Sequence, residues 1–305
     1  MGFSIDILKN NLCFSVKFPW NIGIVSFMAY PTMMEGKEIY SSIKKIAEDN
    51  FFDLIELPVL SNEELSSIAP LLKNKNVSIG LQPFIFKEKI NINSLNSNER
   101  KRAIDMIKKE IDKASRYGIC TIALCSGPDV EKEKREEAKK LLIDSLNEIC
   151  SYASKYGINI VFETFDRDHD KKLLIGPKDE ALEIIKKVRE KNKNIGLLWD
   201  LSHAPLLNEK PEDVKEIKDY LFHIHIGCGK EVNGKLYDWH PVFHTKGALN
   251  TEEDIAKLLK ALSEINYNGA ISFEIKPEAD QTSELVINAA KGALIKAFQI
   301  FIEKL

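Results

Sequence analysis

Residues 159–164 read NIVFET, residues 196–201 read GLLWDL, residues 221–226 read LFHIHI and residues 270–275 read AISFEI. Each run is short and apolar, and each carries a charged or histidine side chain near its C-terminal end. Such runs are typical of strands that are buried on both faces of a parallel sheet. Because the carboxyl ends of parallel strands meet at one edge, these polar residues predict a functional site at that edge.

The same alternation extends over most of the chain. Longer amphipathic, charge-rich stretches separate the apolar runs, which is the pattern of repeated strand–helix units. Four earlier strands are predicted at 23–29, 52–57, 77–82 and 121–125. Helices are predicted at 37–49, 62–73, 98–117, 131–156, 178–192, 211–219, 252–265 and 281–303. Gly118, Gly157 and Gly269 lie shortly before predicted strands, as helix C-terminal caps do.

Eight strand–helix units favour a single closed α/β barrel, the (β/α)8 or TIM barrel. We expect it to span residues 21–305, since no linker or domain boundary interrupts the repeat. Residues 1–20 lie outside the repeat and are interpreted as a short N-terminal extension. This extension is expected to cover the barrel floor or to contact another copy of the chain. The last helix, within residues 284–305, is a second candidate for such a homo-oligomer contact.

Composition argues against several classes of partner. The 305 residues contain 43 Lys and Arg against 46 Asp and Glu, a net charge of -3, so no basic excess attracts nucleic acid or anionic lipid. The apolar stretch 22–30 is too short to cross a bilayer, and no signal peptide or membrane anchor is expected. Five cysteines without a C-x-x-C pair indicate reduced thiols and a cytoplasmic location.

Strand parity selects four candidate metal ligands. Side chains alternate between the faces of a strand, so Glu163, Asp200, His225 and Glu274 are all expected to point into the barrel at the same rim. Three carboxylates and one imidazole suit Mn²⁺, Mg²⁺ or Co²⁺ better than a thiolate-rich structural zinc site, and a Zn²⁺ ion held by these ligands is also compatible. Taken alone, each of these residues is more often a salt-bridged rim residue.

A second group of candidate ligands follows in the sequence. His203, Asp238 and His240 could hold a second ion beside the first, with Asp200 bridging, so that one or two ions bind per chain. The alternative is that Asp238 and His240 only form local turn and capping hydrogen bonds. His223 lies one layer below the rim and is interpreted as a hydrogen-bonded barrel histidine or a support for a ligand.

Four strings carry a resemblance to a known family. They are VFETFDRD at 161–168, LLWDLSHA at 197–204, FHIHIG at 222–227 and ISFEIKPE at 271–278. Together they resemble the xylose-isomerase-like TIM-barrel superfamily, which includes sugar isomerases, ketose 3-epimerases, inosose dehydratase and the endonuclease IV group. The resemblance implies that Glu163, Asp200, His225 and Glu274 form the shared metal position. It also implies that His203 binds either substrate hydroxyls or a second metal.

The chain departs from two branches of that superfamily. Ketose 3-epimerases carry a Glu and an Arg soon after the His-x-His pair, whereas residues 227–231 here read GCGKE, with Lys230 as a loose substitute. The endonuclease branch uses histidines from the second and third strand ends, whereas the first histidine here is His169. The second departure argues against a nuclease.

The resemblance and the ligands together predict a metal-dependent sugar or sugar-phosphate isomerase or epimerase. Glu163 and Glu274 are the expected acid/base pair, acting through an enediolate, with a hydride shift as the competing route when two ions bind. Alternatives are a dehydratase of a keto-inositol or related polyol, a phosphodiester hydrolase using Glu163, His203 and Asp238, and a sugar-binding barrel without turnover.

A small-molecule carbohydrate would be the partner of such a site. Arg167, Lys230, Lys276 and His203 are the candidate substrate contacts, although Arg167 and Lys276 also suit rim salt bridges. The charged loop 166–172 is interpreted as a solvated lid. Aromatic residues are expected to form either apolar walls of the site or core, and they are Trp20, Phe84, Phe86, Trp239 and Phe243.

Overall fold

The computed structural model describes residues 2–9 and 11–304. An antiparallel hairpin of β1 (Ser4–Lys9) and β2 (Leu12–Lys17) comes first. Seven parallel strands follow, which are β3 (Asn21–Val25), β4 (Leu54–Leu57), β5 (Asn76–Gly80), β6 (Thr121–Cys125), β7 (Asn159–Glu163), β8 (Ile195–Asp200) and β9 (Leu221–Ile226). After a small hairpin of β10 (Lys230–Val232) and β11 (Lys235–Tyr237), β12 (Ala270–Phe273) pairs with β9 and β3 and closes an eight-stranded barrel.

Helices surround this barrel, as the amphipathic stretches predicted. They are α1 (Ser26–Ala29), α2 (Ile39–Glu48), α3 (Asn62–Ile68), α4 (Gln82–Lys87), α5 (Ser97–Arg116), α6 (Arg135–Ser154), α7 (Lys178–Arg189), α8 (Ala204–Leu207), α9 (Glu252–Glu264) and α10 (Ser283–Glu303). Short 3₁₀ segments occur at Pro31–Glu35, Ala69–Leu72, Lys132–Lys134 and Pro211–Tyr220. The architecture is a TIM barrel, so the predicted fold class is confirmed.

Three predicted elements change type in the structure. The apolar run 23–29 ends as a strand at Val25 and continues as α1, where Ser26 Oγ donates to the carbonyl of Glu56 at 2.7 Å. The run 77–82 likewise ends at Gly80, and Gln82 begins α4. The predicted helix 211–219 is a 3₁₀ segment. Apolar periodicity cannot separate a short buried helix from a strand, which explains the first two differences.

Two of the three predicted helix caps are observed. Gly118 and Gly157 both have a φ of 68°, in the left-handed region that glycine adopts without steric cost. After the third helix, α9, the residue in the left-handed region is Asn266, with a φ of 54°, and not Gly269. Asparagine tolerates this conformation better than other residues that have a side chain, which is why it can take the glycine's place.

The hydrophobic core lies mainly between the strands and the helices. Outward-facing strand residues such as Ile24, Ile55 and Phe273 are fully buried there. Inside the barrel, Ala123, Val161 and Leu198 form a separate, small apolar cluster. The barrel interior above this cluster is therefore free to carry polar groups on rigid strands.

The N-terminal hairpin packs against the side of the barrel. Phe3 stacks on Phe18 at 5.0 Å and on Phe51 at 5.5 Å, and its edge meets Phe298 of α10. A cavity of about 730 Å³ opens at the barrel floor, and no described residue before β3 lines it. The floor-covering interpretation stays a prediction. The oligomer contact stays a prediction, for which the exposed Leu8, Leu12 and Phe14 of the hairpin are available.

The last helix, α10, is long and apolar. This helix of 21 residues contains an 18-residue window with a mean hydropathy of 1.5, so it is long and apolar enough to cross a membrane by length and composition alone. In this chain α10 packs against α9, and Leu294 and Phe298 are buried in the core. Its composition is thus accounted for by packing on the barrel.

We expect Gly227→Ala to destabilise the barrel. An alanine Cβ would lie 2.2 Å from the backbone oxygen of Glu274 and would force β9 and β12 apart at the rim. The expected loss is about 1–3 kcal/mol in the free energy of unfolding, measured by urea denaturation. Gly292→Ala is the control, because its Cβ meets nothing within 4 Å and it lies inside α10, where alanine adds about 0.5–1 kcal/mol. Equal urea midpoints for Gly227→Ala and the wild type would contradict this reading.

Candidate metal centre

The four residues selected by strand parity converge at one rim of the barrel and are called the quartet, namely Glu163, Asp200, His225 and Glu274. Glu163 and Asp200 end β7 and β8, His225 lies near the end of β9, and Glu274 directly follows β12. One donor atom from each lies within 4.8 Å of the others. Glu163, Asp200 and His225 are at most 3% exposed. The predicted convergence is therefore observed.

His225 has a different partner on each ring nitrogen. Its Nδ1 lies 2.7 Å from Glu274 Oε2 and 3.8 Å from Glu163 Oε1, inside the quartet. Its Nε2 lies 3.2 and 3.3 Å from the two carboxylate oxygens of Glu56. His223 Nε2 contacts the same carboxylate at 2.7 Å, as its interpretation as a hydrogen-bonded barrel histidine requires.

Two neighbours of the quartet were missed in the sequence. Glu56 lies between Ile55 and Leu57 in β4, and the parity rule that selected the other ligands also turns it inward. Gln82, the first residue of α4, donates from Nε2 to Glu163 Oε2 at 2.5 Å. Its run was predicted to be a strand, so no signal for this contact was read from the sequence.

The carboxylates of the quartet have opposite pKa shifts. Burial and the nearby charge of Glu274 raise the pKa of Glu163 to about 8. Burial also disfavours ionisation of Glu274, but His240 and His225 outweigh it and lower its pKa to about 2. Glu163 Oε1 is buried and has no hydrogen-bond partner among the described residues. This oxygen lies close to the metal-binding atoms of the other three residues and receives no hydrogen bond. It is therefore suited to bind a cation.

The donor chemistry fits a divalent ion. Three carboxylates and one imidazole form a mainly oxygen set, as hard divalent cations prefer. His225 also meets a common requirement of metal-binding histidines, because the nitrogen that faces away from the quartet is hydrogen-bonded to the carboxylate of Glu56.

The second predicted group adjoins the first. His203 Nε2 lies 3.0 Å from Asp238 Oδ1 and 3.4 Å from Asp200 Oδ2, and His240 Nε2 lies 2.6 Å from Asp238 Oδ1. Since His203 Nδ1 faces the carbonyl of Thr164 at 2.8 Å, and a carbonyl only accepts, Nδ1 carries a proton. Asp238 and His240 therefore join the rim cluster instead of forming only local turn contacts.

The charges of this second group are mutually stabilising. Burial opposes ionisation of Asp238, but the adjacent His203 and His240 lower its pKa well below the usual range. Burial likewise opposes protonation of His240, yet Glu274 and Asp238 raise its pKa to about 9. The network therefore holds positively charged imidazoles next to ionised carboxylates.

A lysine completes the network. Lys171 Nζ lies 3.2 Å from Asp238 Oδ2 and 2.9 Å from Asp170 Oδ2. The loop that carries it is fixed by the buried carboxylate of Asp166, which accepts from the backbone N–H groups of His169, Asp170 and Lys171 at 2.7–2.8 Å. Asp168, His169 and Lys172 of this loop are exposed, whereas Asp166 is buried and Lys171 joins the network, so the loop is only partly solvated.

A cavity of about 520 Å³ lies directly above the quartet. This volume is within the range of small-molecule sites. The quartet residues Glu163, His225 and Glu274 line its base, and aromatic or apolar side chains form much of its wall, namely Phe27, Met28, Phe86, Phe165 and Trp239. Of the aromatic residues proposed as walls, Phe86 and Trp239 line the cavity, whereas Trp20, Phe84 and Phe243 do not.

The predicted substrate contacts divide into two kinds. Lys276 lines the cavity and is exposed, and His203 lies in the second group described above. Arg167 instead bonds to Glu180 on the outer helix α7 at 2.6 and 3.1 Å, so its geometry matches the salt-bridge alternative. Lys230 pairs with Glu278, and its amine lies 5.9 Å from the centre of the Trp239 ring.

Comparison with known proteins identifies the family. The family model of the xylose isomerase-like TIM barrel matches residues 44–291. The chain belongs to this family. The inosose isomerase of Bacillus velezensis is a relative that is 23% identical over 272 residues, which cover 85% of this chain and 92% of that protein. The resemblance seen in the four sequence strings is thus confirmed.

Solved structures of the family have the same fold. A D-tagatose 3-epimerase-like protein superposes with a TM-score of 0.72 at 25% identity, covering 93% of this chain and 99% of that chain. The IolI protein, crystallised with a bound zinc atom, superposes with a TM-score of 0.68 at 19% identity, covering 92% of this chain and 99% of that chain.

Proposed function

We propose that the protein is a divalent-metal-dependent isomerase or epimerase of a sugar or sugar phosphate. The observation that carries this proposal is the quartet of donor atoms within 4.8 Å, which includes an unpartnered Glu163 oxygen, at the base of a cavity of about 520 Å³. The names of the epimerase and inosose isomerase relatives support a carbohydrate substrate. The zinc atom of the related IolI structure supports a divalent ion in the quartet.

The proposed chemistry is a proton transfer at the carbon next to a carbonyl. When bound, a divalent ion would polarise that carbonyl and stabilise the negative charge of an enediolate. Glu163 and Glu274 reach the cavity from β7 and the end of β12, two positions separated by β8 and β9 in the barrel. In this scheme one carboxylate removes the proton from carbon and the other returns a proton, so that no net charge is gained.

We propose one ion per chain, held by Glu163, Asp200, His225 and Glu274. Donor atoms of Asp200, His203 and His240 also lie within 4.8 Å of one another, but Asp238 already contacts both histidines and Lys171, so it offers no free oxygen to a second ion. The ammonium of Lys171 supplies the positive charge that a second ion would bring. This arrangement favours the enediolate route over a hydride shift, which relies on two ions.

A keto-inositol is a second candidate substrate, for an isomerase or a dehydratase. The inosose isomerase relative supports it, since the match covers 92% of that protein. The loop after β9 supports it as well, because residues 227–231 lack the Glu and Arg pattern of ketose 3-epimerases, and Lys230 is paired with Glu278. We retain His203 and Lys276 as proposed substrate contacts.

Glu274→Gln should abolish turnover if Glu274 moves the proton. We expect kcat to fall by about 10²–10⁴-fold with a smaller change in KM, measured at saturating Mn²⁺ with ketoses, aldoses and inososes. Exchange of the substrate proton with deuterium from solvent, followed by NMR, should disappear in parallel. Glu284→Gln is the control, since this exposed residue of α10 pairs with Lys45 at the surface. Full turnover by a metal-loaded Glu274→Gln protein would refute the acid/base assignment.

Metal stoichiometry tests the role of Lys171. Elemental analysis of the wild type and of His240→Ala should give one ion per chain in both. Lys171→Met removes the charge beside Asp238, so we expect a second Mn²⁺ or Co²⁺ ion to bind this variant. Two ions in the wild type, falling to one in His240→Ala, would instead assign the second group to metal binding.

Metal affinity should rise with pH. Burial and Glu274 raise the pKa of Glu163 to about 8 in the ion-free protein, so below this pH an incoming ion must displace a proton. Between about pH 6 and about pH 8 the affinity for Mn²⁺ should therefore increase, with proton release visible by calorimetry in buffers of different ionisation enthalpy. Above pH 8 the contribution of Glu163 should level off. An affinity that does not change over this range would contradict the shift.

A further inference from the structure

A buried acid–histidine trio shares His225 with the quartet and extends beneath it. The trio consists of Glu56, His223 and His225, and Glu56 is only 2% exposed. The Glu56 carboxylate lines both the cavity above the quartet and the floor cavity, so it separates the two ends of the barrel interior. Both of its oxygens contact His225 Nε2, and its Oε1 also contacts His223 Nε2.

The contact with Glu56 decides which nitrogen of His225 is available to an ion. An imidazole nitrogen that carries a proton cannot donate its lone pair to a metal. An ionised Glu56 only accepts, so it holds a proton on Nε2 of His225, and the proton that an incoming ion displaces is the one on Nδ1, shared with Glu274. Nδ1 is the atom that faces Glu274 at 2.7 Å and Glu163 at 3.8 Å.

His223 holds the carboxylate from below. Its Nε2 lies 2.7 Å from Glu56 Oε1, and its ring is nearly perpendicular to that of His225, with centroids 5.1 Å apart. Two histidines from the same strand thus fix one carboxylate of β4. The side chain of Glu56 has little freedom to turn away from His225.

We propose that Glu56 is a positioning residue which, anchored by His223, selects Nδ1 of His225 as the nitrogen that binds the ion. The inference rests on the proposed metal-dependent function. It assigns a role to the polar layer below the quartet, where most TIM barrels carry branched apolar side chains. Glu56 acts through His225 and does not itself need to touch the substrate.

The trio could also be read as an ion site of its own. Donor atoms of Glu56, His223 and His225 lie within 4.8 Å of one another. This reading requires His225 to bind one ion through Nε2 while Nδ1 serves the quartet, which means a fully deprotonated imidazole. The positioning role needs only the neutral ring, so it is the one we adopt.

The test measures ion affinity in three variants without any substrate. Glu56→Leu removes the acceptor, Glu56→Gln keeps one acceptor oxygen, and Ser78→Ala is the matched control. Ser78 is another buried polar residue of the barrel interior, and its Oγ has no hydrogen-bond partner among the described residues. Zn²⁺ dissociation constants are measured by competition with a chelator, and thermal melting of the ion-free proteins reports on folding.

We expect Glu56→Leu to weaken Zn²⁺ binding by about ten- to a hundredfold, the range known for partners of metal-binding histidines. Glu56→Gln should recover part of this loss, and Ser78→Ala should bind as the wild type does. Wild-type affinity in a folded Glu56→Leu protein would overturn the inference. Two Zn²⁺ ions per wild-type chain, falling to one in His223→Gln, would overturn it in favour of an ion site in the trio.

Histidine tautomers provide a readout that a purely structural role would not change. In ion-free protein labelled with ¹⁵N-histidine, at a pH at which the His225 ring is neutral, NMR should find its proton on Nε2 in the wild type and redistributed between Nε2 and Nδ1 in the Glu56 variants. This comparison remains decisive with Glu56→Gln alone if Glu56→Leu does not fold. An unchanged tautomer in Glu56→Gln, together with unchanged affinity, would overturn the positioning role.

The outcomes also separate this inference from the proposed function. If the variants bind Zn²⁺ in the expected order of affinities but the wild type turns over no sugar, the positioning role of Glu56 stands and the proposed isomerase function is refuted. If the wild type isomerises a sugar while Glu56→Leu retains full ion affinity, the proposed function stands and the positioning role of Glu56 is refuted.

Discussion

Burial of like charge at the barrel rim is the constraint on which the site depends. Glu163, Asp200 and Glu274 bring three carboxylates into a volume where donor atoms are within 4.8 Å and water is largely excluded. Such groups repel one another and lose hydration, so each needs a proton, a cation or a donor. The observed solutions differ: Glu163 is held protonated by its raised pKa, whereas Glu274 is paired with histidines. A divalent ion would satisfy all three at once.

The barrel provides the geometry that this chemistry requires. Strand pairing places Asp200 opposite His225, and the same parallel register places Ser272, two residues before Glu274, opposite His225 from the other side. Ligands on hydrogen-bonded strands cannot drift apart to relieve their repulsion, whereas the same residues on loops could. Because the strands hold the carboxylates close together, the cluster is both electrostatically unfavourable without a cation and preorganised to bind one. The hydrogen bond between Glu56 and His223 extends this rigid arrangement one layer deeper into the barrel.

The sequence predicts the strand-borne part of the site well and the loop-borne part poorly, for a physical reason. The twofold periodicity of a strand is local, so it selects Glu163 and Asp200 without knowledge of the fold. The same rule also selects Glu56, but residues 57–60 that follow it read LPVL, so no polar residue directly after it marks it as part of a site. Arg167 and Lys171 are only four residues apart, yet one bonds to an outer helix and the other enters the cavity network. That division depends on how Asp166 folds the loop, which no local pattern encodes.

The cavity itself has two chemically distinct sides. Phe27, Phe86 and Trp239 offer apolar faces, while the quartet and Lys276 offer charge. A sugar or cyclic polyol also has two kinds of surface, C–H groups that pack on aromatic rings and hydroxyl groups that need polar partners. Lys230 is occupied by Glu278 and stands beside Trp239, so it shapes the aromatic side instead of serving as a free cation. Under the proposed function, a linear ketose and a ring ketone would present the same hydroxy-carbonyl edge to the quartet, so discrimination between them would depend on the fit against the aromatic wall.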